Sequence, residues 1–368
     1  MSHGAPSTGL SLTAKTVDLQ GGVGQPEAAE SVPLKRGKMA QGNRDRSYYG
    51  EYFREIDVLH GLQSVPEERE WLMAPPRGDV KPAKVVLFLG CNVLRTTHLV
   101  RTVVDIFKLL DVDFVAVAGP AYCCGILHHR RGDTEASYSY ASATVRHLRK
   151  FRPERVVMWC PSCIYFYDEI MQMRDGFFFQ HVTEFLAENL DGLNFQPQPP
   201  TKAAVHYHTG SPQTDAEARC AFKLLSALPE VSLVDLGVDD RMGRRCAPDV
   251  LESLAAHGWE ETFGKTFRDA VEAEADTYCT LYHGCQRGLC HHEKDFPFKV
   301  ENYITLLGRG LGIEHEDLYK KFVMMGNADA VWADASPCAA ASGIGPEDAR
   351  PAIQTSFVDV GLKSPVGR

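Results

Sequence analysis

Short apolar runs alternate with stretches of helical spacing through most of this chain. Residues 85–89, 114–118 and 156–159 are four- or five-residue runs rich in Val, Leu and Phe, bounded by Gly, Pro or Cys. Runs of that length and flanking predict strands buried on both faces. Between them, residues 94–110 place Leu99, Val103, Ile106, Phe107 and Leu110 on one side of a helix, with Thr96 or Thr97 at its start. Residues 133–149 place Tyr138, Ala141, Val145 and Leu148 on another, behind Asp133 or Thr134 as the cap. The unit is β-α-β-α-β. Further runs follow at 203–207, at 231–236 and into Cys279. Ahead of the first strand, Tyr52, Ile56 and Leu59 share one face of a helix over 49–62. Residues 1–45 are rich in Gly, Ser, Ala and Gln and lack periodicity, which predicts disorder.

The pattern therefore predicts an α/β protein built from two pseudo-symmetric Rossmann-like βαβ halves behind a disordered N-terminal tail. The expected divisions are a tail over 1–45, a helical lead-in over 46–80, a first domain over 81–195 and a second over 201–340. The Pro-rich stretch 196–200 separates the domains, and 341–368 is a C-terminal tail.

The strand ends carry the chemistry. Cys91 follows the first strand, Cys123-Cys124-Gly125 the second, and Cys160-Pro161-Ser162-Cys163 the third. Ligands of open α/β sheets bind at the carboxyl ends of strands, so three distant cysteine groups converge on one sheet edge. A zinc ion takes four ligands and leaves one thiolate over; an iron–sulfur cluster takes soft sulfur donors readily. Cys160 and Cys163 alone also fit a dithiol redox pair at a strand-to-helix turn. Gly125 suits a turn that folds two adjacent cysteines around one ligand. His128 and His129 follow at once, as candidate proton donors or as plain loop histidines.

Composition narrows the function classes. The chain has 368 residues, 44% of them apolar, enough for a sizeable core, and a net charge of −9 that offers nucleic acid nothing. No run reaches the ~18 apolar residues of a membrane span, and no secretory signal is visible at Met1. The expected place is the cytoplasm. Eleven cysteines in such a chain favour metal or redox work over structural disulfides. There is no Gly-x-Gly-x-x-Gly for a dinucleotide and no tight run of four cysteines for a ferredoxin-type cluster.

A lone cysteine, a CCG and a CxxC at these spacings resemble the cysteine-rich CCG domain of the B-type heterodisulfide reductase chain, over about 84–170 and in weakened form over about 203–293. The resemblance implies that Cys91, Cys123, Cys124, Cys160 and Cys163 hold a non-cubane [4Fe-4S] cluster. It implies a disulfide or persulfide of a thiol carrier as substrate. Its partners would be a flavoprotein (A type) with a small ferredoxin-like iron–sulfur subunit (C type), as in the heterodisulfide-reductase-like complex of sulfur oxidisers. Two other readings stand beside it: an electron-transfer subunit without its own substrate, and an iron-free dithiol oxidoreductase using Cys160 and Cys163.

The second half reads as an eroded copy. Cys91 to Ser211 is 120 residues, Cys124 to Cys246 is 122, and Cys160 to Cys279 is 119. Such near-constant offsets mark internal duplication about a pseudo-two-fold axis. Ser211 replaces the lone cysteine, Arg245 the first of the pair, Ala247 the glycine, and Tyr282 the second cysteine of CxxC. Cys246, Cys279, Cys285 and Cys290, with His283, His291 and His292 nearby, leave three options open: a second cluster, zinc, or a metal-free scaffold. His208 is a candidate ligand or a proton donor to substrate sulfur.

Overall fold

The computed structural model describes residues 44–173, 178–237, 246 and 260–362. The tail expected over 1–45 falls outside this set except for Arg44 and Asp45, which begin helix α1 (Arg44–Gly61). Two four-stranded sheets carry the fold, and every strand pairing in them is parallel. The first has the order β2-β1-β3-β4, with β1 Val85–Gly90, β2 Phe114–Ala118, β3 Arg155–Met158 and β4 Phe178–His181. The second repeats it as β6-β5-β7-β8, with β5 Thr201–His206, β6 Val231–Asp235, β7 Thr277–Thr280 and β8 Lys299–Asn302. Two α/β halves of one topology are what the hydrophobic pattern predicts.

The fourth strand of each sheet escapes that pattern. β4 grows out of an aromatic cluster and leaves Phe178 exposed, and β8 reads Lys-Val-Glu-Asn, too short and polar for a buried strand signature.

The helices that face the other half are α2 (Thr97–Leu109), α6 (Val182–Glu188), α7 (Pro212–Ser226) and α10 (Tyr303–Gly310). α2 packs on α10 and α6 on α7. Each first-half helix meets the non-equivalent helix of the second, which is the signature of an approximate two-fold. Gly308 makes the first crossing close: a Cβ there would come within 2.7 Å of the Thr102 methyl. Between α6 and α10, Thr183 Oγ1 and Tyr303 OH share a 2.8 Å hydrogen bond. Burial from both halves merges into one core running through α1, α2, α6 and α7, and a second, smaller core lies within the first half.

α4 (Thr134–Arg149) is capped by Asp133, whose carboxylate accepts the Ala136 N–H. It buries Ala141, Val145 and Leu148 as expected. Tyr138 does not join them: it is 57% exposed, because the buried stripe runs through Ser137, Ala141 and Thr144 instead. The segment expected as a C-terminal tail over 341–368 is instead helical as far as Leu362. α13 (Pro346–Ile353) and the turns after it bury Ala349, Ile353 and Phe357. This end of the chain packs on α1, through an Arg54–Asp348 ion pair and a Ser356–Glu55 hydrogen bond.

Candidate metal centres at the strand ends

The five cysteines of the first half meet. The Cys163 thiol donates to Cys124 Sγ at 3.2 Å. Cys91, Cys123 and Cys160 lie near enough to this pair for each thiol to shift the protonation of another. Cys123, Cys124 and Cys163 are buried, and Cys91 and Cys160 are half-buried.

Local structure explains the convergence. Cys91 follows β1, Cys123 and Cys124 follow the turn after β2, and Cys160 caps α5 (Pro161–Tyr165). Gly125 stands at φ +89°, and a Cβ there would sit 2.4 Å from the Ser137 carbonyl oxygen. Only glycine lets the CCG turn lie this close to α4. The Gly125 N–H donates to Cys123 Sγ at 3.4 Å, and Thr144 Oγ1 donates to the Cys123 carbonyl at 2.8 Å. Gly90, at φ +78°, leaves space beside the thiols: a Cβ there would be 3.8 Å from Cys163 Sγ.

The electrostatics split the set. Hydrogen bonds from Cys123 and Cys163 hold the Cys124 thiol below its ordinary range. Cys160 is lowered by its hydrogen bond from Cys163, by the Cys163 and Ser162 N–H groups at the start of α5, and by Arg130. Cys91, Cys123 and Cys163 are raised: Cys91 and Cys123 first by hydrogen bonds to Cys123 and Cys124 respectively, Cys163 by those to Cys124 and Cys160. Cations flank the set. Arg95 acts on Cys91 and Arg130 on Cys160. Arg95 is buried, donates to Glu55 at 2.6 Å, and lies over the Tyr52 ring. Half-buried Arg287, from the second half, donates to Asn92 Oδ1 at 2.7 Å, next to Cys91. Arg95 is thus bonded to the Glu55 carboxylate, and Arg287 acts on the same carboxylate through space.

This environment suits an anionic sulfur-ligated group. Five sulfurs gathered at one sheet edge, a glycine beside them and flanking positive charge are the donor set and field such a group needs. Among the described residues, no hydrogen bond joins His128 or His129 to these cysteines. His128 is buried between the rings of Tyr49 and Tyr140, and burial lowers its pKa and keeps it neutral. His129 packs on Phe166.

The second half gathers a different set at the matching place. His206 Nε2 lies 3.2 Å from Cys246 Sγ, and His208 Nε2 lies 3.2 Å from Cys285 Sγ and 3.4 Å from Cys246 Sγ. The four donor atoms lie within 4.8 Å of one another, and all four residues are buried. His206 is oriented from behind, its Nδ1 3.0 Å from Tyr278 OH, which is 2.8 Å from Thr266 Oγ1. Burial alone would raise the Cys285 thiol. The hydrogen bond from Cys246 and the two imidazoles override it and hold the thiol well below its usual range.

Of the second-half candidates, Cys246, Cys285 and His208 meet. Cys279 and Cys290 do not join them: Cys279 is buried in β7 facing Glu301, and Cys290 contacts the Arg287 carbonyl. His283 accepts the Trp159 indole N–H at 3.0 Å, and the His291 and His292 rings lie against each other at a tilt of 38°. Arg245 and Ala247 lie outside the described residues.

Strand register corrects the equivalence between halves. The Trp159 N–H donates to the Phe88 carbonyl as the Leu281 N–H donates to the His206 carbonyl. The Cys163 N–H bonds the Cys160 carbonyl as the Cys285 N–H bonds the Tyr282 carbonyl. Cys160 therefore corresponds to Tyr282, not Cys279, and Cys163 to Cys285; like Cys124 to Cys246, each step is 122 residues. The retained pair Cys246–Cys285 is the counterpart of Cys124–Cys163. Phe88 corresponds to His206 and Gly90 to His208. By the same register Cys91 corresponds to Thr209, not Ser211, which caps α7 in a reciprocal pair with Thr214; Tyr282 OH bonds the buried Glu217 carboxylate.

His206 is the residue that sequence reasoning missed. Its signal was the His-x-His at the end of an apolar strand, which puts both imidazoles on one face. No curated protein matches this chain. Residues 85–167, from the first strand through the CxxC helix, match the family model of the CCG cysteine-rich domain, and over this stretch the chain resembles that family.

Proposed function

We propose that Cys91, Cys123, Cys124, Cys160 and Cys163 hold a non-cubane [4Fe-4S] cluster in one member of a heterodisulfide-reductase-like complex. Its reaction is the reduction or formation of a disulfide or persulfide of a thiol carrier. The observation that carries this reading is the 3.2 Å contact between Cys124 and Cys163, delivered by separate strand ends, with Cys91, Cys123 and Cys160 close enough to act on the same thiols. When bound, the cluster supplies single electrons and an iron to which a substrate sulfur can bind.

The chain's own residues set the rest. Half-buried Cys91 and Cys160 face the approach, while buried Cys123, Cys124 and Cys163 anchor the far side. Arg130 helps to hold Cys160 as thiolate, and Arg95 opposes part of the rise at Cys91. Electrons enter or leave through a ferredoxin-like partner, with a flavoprotein behind it. Among the described residues no helix is long and apolar enough to cross a membrane.

The lowered Cys160 thiol at a helix start also favours a second reading, an iron-free dithiol pair with Cys163. Iron and acid-labile sulfide analysis of the anaerobically purified chain separates the two. About four irons per chain are expected in the wild type, and they should disappear in Cys124→Ala. An iron-free wild type means dithiol chemistry. A paramagnetic signal that appears when thiols are added to the oxidised protein marks substrate binding at the cluster. Silence with every thiol tried makes the chain an electron-transfer protein without its own substrate.

A further inference from the structure

We propose that His206, His208, Cys246 and Cys285 bind one zinc ion as a closed four-ligand structural site, in place of a second iron–sulfur cluster. The proposal does not depend on what the first half binds.

Three observations carry it. The first is donor count and spacing. Zinc–sulfur and zinc–nitrogen bonds of about 2.3 and 2.05 Å meeting at the tetrahedral angle put nitrogen and sulfur about 3.5 Å apart. Three of the four nitrogen–sulfur separations here are 3.2, 3.2 and 3.4 Å, and all four donor atoms lie within 4.8 Å of one another. The donors already stand at separations that a single ion can bridge.

The second is what the corresponding positions do in the first half. Gly90 leaves open the space beside Cys163. At the matching position the second half carries His208, whose imidazole points at Cys285 and Cys246. Phe88 becomes His206, which turns an apolar strand residue into a ligand. The substitutions close the space that a multi-iron group would fill and supply two nitrogens in exchange for three sulfurs. Two sulfurs and two nitrogens in a tetrahedron suit zinc.

The third is support behind the ligands. The Tyr278 hydroxyl bonds His206 Nδ1, which leaves Nε2 for the metal and fixes the ring's orientation. With four protein donors, all buried, the site has no open position for substrate. Its role is therefore architectural. It ties the end of β5 and residue 246 to the start of α9 (His283–Leu289), the helix that carries His283 to Trp159 and Arg287 to Asn92.

The test is metal analysis of the full-length chain together with zinc K-edge absorption. One zinc per chain is expected, with two sulfurs near about 2.3 Å and two nitrogens near about 2.0–2.1 Å. Cys124→Ala should lose iron and keep its zinc, and Cys285→Ala should lose zinc. Measuring the wild-type absorption edge keeps the proposal falsifiable if Cys285→Ala fails to fold. A zinc-free wild type overturns it. So does a wild type whose iron and sulfide exceed one cluster's worth, with the excess lost in Cys285→Ala.

Discussion

Replacing Gly125 by Ala tests whether the CCG turn depends on its closeness to α4. Two costs arise. The backbone holds φ +89°, where a side chain costs about 1 kcal/mol relative to glycine. The new Cβ would also stand 2.4 Å from the Ser137 oxygen and 3.2 Å from its carbonyl carbon. Both are backbone atoms of a helix and cannot rotate aside. Relief requires the turn or α4 to shift by nearly 1 Å, an overpacking cost of about 1–3 kcal/mol. Gly132→Ala is the control, because Gly132 has a similar φ of +80° and nothing within 4 Å of its Cβ position. Urea denaturation should show a loss of about 1 kcal/mol for Gly132→Ala and about 2–4 kcal/mol for Gly125→Ala. Only Gly125→Ala should lose iron, since Cys123 and Cys124 move with the turn. Equal stability and full iron in both variants would refute the steric argument.

Other sites carry three further tests. Arg287→Leu removes a cation beside Cys91, so the reduction potential of the first centre should fall; an unchanged voltammetric midpoint would show that the charge is screened. Trp159→Phe strands the buried His283 Nδ1 acceptor and should cost about 1–2 kcal/mol in urea without altering the metal count; lost iron or zinc would show that the bond also shapes a site. Burial pushes His60 down to about 3, so His60 is neutral in the fold and binds a proton on unfolding. Its contribution is complete above about pH 6.5 and is lost as pH falls toward 3, about 2 kcal/mol of it by pH 5. His60→Gln should flatten the drop in urea midpoint between pH 7.5 and 5 by that amount, and an unchanged slope would place the acid sensitivity elsewhere.

The first centre was legible in the sequence because each cysteine group directly follows an apolar run, and strand ends are where such sheets hold ligands. The second was legible only in part. Cys246 and Cys285 stand out as cysteines, but His206 sits inside a run read for its hydrophobicity, and imidazoles carry no periodic signal. The offset of 119 to Cys279 matched residue identity instead of position relative to the strand end. Hydrogen-bond register, which only the fold reveals, moves that equivalence to Tyr282. β4 and β8 were invisible because Phe-Phe-Gln-His and Lys-Val-Glu-Asn offer no run of aliphatic residues; parallel pairing with β3 and β7 holds them in place.

The crowding of Arg95 and Arg287 around a single acid bears on how the polypeptide matures. Before the cluster proposed above is delivered, the two like charges repel each other beside the thiols, and of the two only Arg95 is hydrogen-bonded to Glu55. Cofactor delivery then becomes a step in completing the native state. Freshly synthesised chains starved of iron should be clipped by proteases between Cys91 and Arg101 sooner than anywhere in the second sheet.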